Sequence, residues 1–343
     1  MWELLRRNPK FIAGSIIVGI FVIIGVIGPM VTRDPLKGCK VIVPQGMDLG
    51  NTQPSEFGNW TFQAMPPGTY TIIEETTYIV QFENGTQRPV TETKVYDVTF
   101  ILGTTQYGMD MFAQLCTGIR NSLFVGVIGG VLGTLIAVLL GALGAYRGGL
   151  VDETSNAITN IVMVFPTLPA LLVLASLLEP RYFKFSLPII GRIEGRSFLT
   201  VGVIIALTSW PWAARCIRSQ VLSLKEREFI SLAKMSGMRS REIVIKDVLP
   251  NMLAYILMVF VLLTGGAMLA ESWLSVLGLG PNPTEHVTLG NIMHNCRASS
   301  LGNWWTFWWW WIPPGAVLAA LLSVIFVMHA GMDEVFNPRL RRM

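Results

Sequence analysis

The chain has 343 residues, of which 52% are hydrophobic and 14% charged, and its mean hydropathy is +0.52. That balance excludes an ordinary water-soluble domain and points to the bilayer. The net charge of +4, from 26 Lys and Arg against 22 Asp and Glu, follows from membrane topology, not from nucleic-acid binding.

Six apolar stretches reach the roughly 20 residues needed to cross a hydrocarbon core. They are Phe11–Val31, Ser122–Tyr146, Ile158–Leu178, Phe198–Ala214, Met252–Ala270 and Trp304–Ala330. The first follows Arg6-Arg7-Asn8-Pro9-Lys10, but its apolar run is too long for a signal-peptide core, so a retained helix is expected. Residues 34–101 come next, as a β-rich insertion. Thr69–Ile73, Tyr78–Phe82 and Lys94–Ile101 alternate as half-buried strands do, and Asn84-Gly85 signals a turn followed by a long connection. Met111–Asn121 has helical apolar spacing and is expected to lie along the outer surface before the second span.

Gly126, Gly129, Gly130, Gly133, Gly141 and Gly144 mark the second span for close helix packing. Pro166 and Pro169 predict a kink in the third. Between spans four and five lies a basic stretch patterned as a short helix, Lys225–Ser236, ending at Gly237, with Leu249-Pro250 beyond it as the boundary of span five. The helix is too polar to be a span and suits docking to a soluble partner; Phe229, Leu232, Ala233 and Ser236 are expected on its docking face. Trp304-Trp305 and Trp308–Trp311 are expected to anchor the outer end of span six at the membrane–water interface. With the N-terminus inside, fifteen of the 26 Lys and Arg fall on inner segments, while the outer segment 34–119 holds nine acidic residues against four basic ones. Both termini are therefore expected on the cytoplasmic side.

The four cysteines show no CxxC spacing; Cys39 and Cys296 both fall on the expected outer side, where a disulfide between them is possible, with unpaired packing cysteines the alternative. His286, His294 and His329 have no HExxH or nucleophile–base arrangement around them, and no GxxxxGK[ST] loop occurs. Ionisable groups are nearly missing from the span centres, with Glu271 and His329 placed at span ends, so a self-contained ion-coupled carrier lacks its relay. A driving force for transport has to come from outside the chain.

The Glu228–Asn251 segment resembles the coupling motif of ATP-binding-cassette importer permeases, EAA, three residues, G, nine residues, I-x-L-P. Ser231-Leu232-Ala233 stands at EAA, Gly237 at the glycine and Leu249-Pro250 at the end, while Ser231 replaces the acid, Leu232 the first alanine and Asp247 the isoleucine. Arg7-Asn8-Pro9, Gly103-Thr104, Tyr107-Gly108-Met109-Asp110, Gly144-Ala145-Tyr146-Arg147-Gly148-Gly149, Asp152, Glu271–Gly280, Pro314-Gly315 and Asn337-Pro338-Arg339-Leu340 extend the likeness to the C-type permease of dipeptide, oligopeptide and nickel importers. Thr105 and Met109 depart from that family's acid and arginine, and Met328–Asp333 from its leucine-rich stretch.

The resemblance, which covers nearly all of the chain but the outer insertion, implies an all-α integral membrane protein with six transmembrane helices, the type I importer permease fold. With the extracytoplasmic β-rich insertion read above, the chain divides into 1–33, the insertion 34–101, and a five-helix core 102–343 with a coupling loop 216–251. It implies half of a translocation pathway for di- or oligopeptides, with cello- or other oligosaccharides or nickel as alternatives. A secondary carrier or channel is the alternative of another class. The implied partners are a second homologous permease, two ATPase subunits and an extracytoplasmic solute-binding protein. ATP and Mg²⁺ would sit on the ATPases, with no catalysis and no cofactor in this chain. The implied ATPase contacts are Glu228, Phe229, Ser231, Leu232, Ala233, Lys234, Ser236, Gly237, Leu249 and Pro250.

Overall fold

A computed structural model describes residues 8–37, 64–81, 87–177, 196–283, 285–299 and 304–336, with the short strands 40–42, 60–61, 184–187 and 191–194. The bundle is built on α2, Met111–Arg147, which packs against α1 (Pro9–Val31), α5 (Phe198–Lys225) and α7 (Ser240–Val276). α9, Trp308–Phe336, packs against α1 and α7. These five helices are long and apolar enough to cross a membrane. A sixth crossing requires α3 (Gly149–Val164) and α4 (Thr167–Leu177) together, and these meet at 89°.

That bend exceeds the kink expected from Pro166. Phe165 is extended, with φ −73° and ψ 128°, because a residue before proline is pushed out of the helical region. α2, in contrast, is one rod. Asp110 caps it, its carboxylate accepting from the Phe112 amide at 2.8 Å. Met111–Asn121, expected on the surface, form its first turns and are almost all buried, because α8 (Leu289–Ser299) and α9 cover them. The glycines of α2 serve the packing role read from sequence: a Cβ on Gly129 would meet Ala267 at 2.6 Å, and one on Gly141 the Ala214 carbonyl at 2.5 Å.

The insertion folds as a sheet of order β2-β1-β3-β4, from β1 Lys40–Ile42, β2 Trp60–Thr61, β3 Gly68–Gln81 and β4 Gln87–Phe100. β3 and β4 pair antiparallel from Gly68↔Phe100 to Gln81↔Gln87, so the long connection expected after Asn84-Gly85 is replaced by strand from Gln87 on. Pro89 disguised it, yet an edge strand tolerates proline because one side makes no ladder bonds. Asn84-Gly85 itself lies outside the described residues. A second hairpin pairs β5, Lys184–Leu187, with β6, Gly191–Glu194.

The sheet is fixed to the spans at its base. The Thr104 amide donates to the Met65 carbonyl at 2.8 Å, the Met65 amide to Thr104 Oγ1 at 2.9 Å, and Trp309 Nε1 to the Thr104 carbonyl at 3.3 Å. Trp309 and Trp310 are therefore core, packed with Met111, Val287, Ile292 and Cys296. Among the described tryptophan side chains of this cluster, Trp305 and Trp308 are exposed as interfacial anchors would be. At the opposite end of the bundle, Lys10 and Asn8 at the start of α1 bond Glu334 near the end of α9.

Candidate functional site

The segment between α5 and α7 lies at the end of the bundle away from the sheet. α6 runs Glu228–Met235, shorter than the expected Lys225–Ser236, because α5 continues to Lys225 and a turn closes with the Arg227 amide on the Leu224 carbonyl. Arg227 opens α6 in extended conformation, and Glu228 and Lys234 complement the helix dipole at its two ends. The exit is a Schellman turn: the Gly237 amide bonds the Lys234 carbonyl at 3.0 Å and the Met238 amide the Ala233 carbonyl at 3.3 Å. Gly237 has φ +75°, the left-handed conformation this turn needs.

Ile230 is the anchor of α6, fully buried among Tyr146, Ile217, Val221, Ile243, Val244 and Val248. Ala233, three residues on, shares that inner face and is half-buried, not on the docking face as expected. Its place outside is taken by Met235, which is 85% exposed, beside Leu232 at 64% and Phe229 at 38%. Glu228, Ser231, Lys234, Ser236 and Gly237 surround this apolar stripe. α6 thus presents unpartnered apolar side chains on a helix held from behind by one buried isoleucine.

Leu249 and Pro250 belong to the body behind α6. Pro250 stands in the first turn of the α-helical stretch Leu249–Val276, as expected at the start of span five, although the helical path of α7 continues back to Ser240. A π turn at Val244–Val248 precedes the proline. Its wider loop suits a residue that lacks an amide for the carbonyl four positions back. Leu249 packs half-buried against the Ile230 cluster.

The same end holds a set of polar contacts. Asp152 of α3 takes a bidentate bond from Arg218 of α5, both contacts at 2.7 Å, and Arg215 donates to Asn160 at 2.7 Å. Lys225 and Lys234 place their ammonium groups 5.9 and 6.0 Å from the centroid of the Tyr146 ring. Among the described residues no three His, Cys, Asp or Glu side chains gather in a metal-binding arrangement. Cys39 lies outside the described residues; Cys296 is fully buried beside Trp310.

Sequence reasoning missed a second polar site, at the other end. Glu271 is fully buried inside α7, which runs six residues past the expected span end at Ala270. Its carboxylate accepts from Ser275 at 2.6 Å and from Ser122 of α2 at 3.2 Å. Ser122 Oγ in turn accepts from the Leu289 amide at 3.1 Å, which ties α8 to α2 and α7. The Glu271–Ser275 spacing of four was the available signal.

Comparison with known proteins gives the family. Residues 130–342 match the model of the family described as binding-protein-dependent transport system inner membrane component. The oligopeptide transport system permease protein OppC of Mycobacterium tuberculosis is 31% identical over 242 residues, covering 71% of this chain and 77% of that protein. The dipeptide transport system permease protein DppC of Bacillus subtilis is 29% identical over 241 residues, covering 70% and 69%. A solved chain of the MetNI methionine ABC transporter, in an inward-facing conformation, aligns with TM-score 0.50 and 18% identity, covering 66% of this chain and 98% of its own; that likeness concerns the fold. The chain belongs to the binding-protein-dependent transport system inner membrane components, and it is the non-catalytic membrane-spanning subunit of an ABC importer.

Proposed function

We propose that this subunit forms half of the translocation pathway of an importer for di- and oligopeptides and is driven through α6 by an ATPase. The observation that carries the proposal is the exposed stripe Phe229, Leu232 and Met235 on a helix anchored by Ile230. A stripe of that size suits a groove on a soluble subunit, as helix-in-groove recognition requires. The full assembly pairs the chain with a second, homologous permease, two ATPases and an extracytoplasmic binding protein. Both termini face the cytoplasm, consistent with the meeting of α1 and α9 at the α6 end. The sheet then stands on the outer side, placed to meet the binding protein. Peptides rank ahead of oligosaccharides and nickel because the relatives above are named as peptide permeases.

The test is reconstitution of the five-subunit assembly in liposomes, with uptake of labelled peptides, cello-oligosaccharides and nickel measured side by side. Peptide uptake that needs ATP and the binding protein is expected. Uptake by the chain alone, or of only one of the other two solutes, would overturn the proposal.

A further inference from the structure

Behind the docking face of α6 lies a polar cluster that apolar packing alone does not call for. Tyr146, in the last turn of α2, is 5% exposed and sits in the same cluster as Ile230. Lys225, at the end of α5, holds its ammonium 5.9 Å from the ring centroid and also donates to the Ala145 carbonyl at 3.4 Å. Lys234, on α6, holds its own at 6.0 Å. Asp247 lies in the π turn of α7, within electrostatic reach of Tyr146, and its Oδ2 is buried with no hydrogen-bond partner among the described residues. One ring is therefore shared by α2, α5, α6 and α7.

We propose that Tyr146 is a positioning residue that registers α6 against the spans. Its π face attracts the Lys234 and Lys225 ammonium groups, with Asp152 within electrostatic reach of Lys225. An aliphatic side chain of similar size would fill the cavity but could not hold the ammonium groups. When the ATPase moves α6, Lys234 moves with it, and the pull reaches the end of α2 through the ring. This proposal rests on α6 being the coupling element.

The experiment uses the complete importer in liposomes and reads ATP hydrolysed per solute taken up. Each cation–π contact is worth roughly a two- to fivefold bias. Tyr146→Leu is expected to raise the ATP-to-solute ratio about fivefold, and Tyr146→Phe, which keeps the ring, to restore it. Lys234→Gln should raise the ratio about threefold and Lys234→Arg restore it. Melting temperatures of the Leu and Phe variants separate lost packing from lost coupling. Should Tyr146→Leu fail to assemble, Lys225→Gln, which removes the other ammonium from the ring and is not among the ATPase contacts, decides in its place, and an unchanged ratio there also overturns the proposal. An unchanged ratio in Lys234→Gln, or a Phe variant as uncoupled as the Leu variant, overturns the proposal. Leu232→Glu on the docking face serves as the control. If it releases the ATPase while the Tyr146 and Lys234 series stays coupled, only the role of Tyr146 is wrong; if the ATPase stays bound, the coupling role of α6 fails first.

Discussion

Gly237 shows how one backbone angle can govern the exit from a short helix. With φ +75° and nothing within 4 Å of where a Cβ would stand, a larger residue meets no steric obstacle but does meet the left-handed penalty, about 1–2 kcal/mol. Gly237→Val is expected to unwind the Schellman exit, so that uptake falls while membrane insertion, read from the membrane fraction, stays normal. Gly237→Asn should retain more uptake, because asparagine tolerates that conformation. Equal loss in both variants would show that the angle is not what matters. Glu271 presents the opposite case, a side chain whose value lies in its partners. Glu271→Ala takes the acceptor from the buried Ser122 hydroxyl and leaves Ser275 only its 3.5 Å contact with the Thr288 hydroxyl, a cost of about 1–3 kcal/mol for each group left unsatisfied. A lower melting temperature in detergent is expected, with a smaller drop for Glu271→Gln; an unchanged midpoint for the alanine variant would mean that water takes over the carboxylate's role.

Among the elements, α6 has the clearest division of labour. Its inner residue Ile230 ties it to the body, and its outer residues Phe229, Leu232 and Met235 remain for a partner. Leu232→Glu puts a charge into the proposed groove without touching the inner face, and should weaken ATPase co-purification by about tenfold or more. Wild-type recovery of the ATPase would exclude the stripe as its contact. Much of this element was legible in the sequence, because caps are local: Glu228, Lys234 and Gly237 announce a start, an end and an exit within ten residues. Its orientation was not legible. Whether Ala233 or Met235 faces outward depends on where Ile230 finds its pocket, and that pocket is made by α2, α5 and α7. The same limit explains the tryptophans: an indole near an interface suits an anchor, and only the fold of residues 64–104 against α9 turns Trp309 inward. The buried setting of Glu271 was not legible for the same reason, since Ser122 is 149 positions away in the chain.

For the molecule as a whole, apolar runs revealed five spans, while the third differed because an extended Phe165 turns a kink into a corner. The sheet is joined to the rest mainly at its base, where Gly103 (φ +72°) passes so close to Met65 that an added Cβ would lie 2.2 Å from its carbonyl. Beyond Ile73 the ribbon pairs only with itself among the described residues. Replacing residues 75–93 with a two-residue turn should therefore leave the melting temperature of the spans unchanged and abolish stimulation of the ATPase by the binding protein. Normal stimulation would make the ribbon dispensable.

The corner between α3 and α4 has a further consequence. Among the described residues, sixteen and eleven residues give arms of roughly 24 and 16 Å, and a hydrocarbon core is about 30 Å thick, so neither described arm alone reaches across. The carbonyls freed where the two arms part cannot be left to lipid tails. Val164 and Phe165 are exposed at that vertex. Protein from a neighbouring subunit, or trapped water, that covers this vertex would then be part of the working transporter.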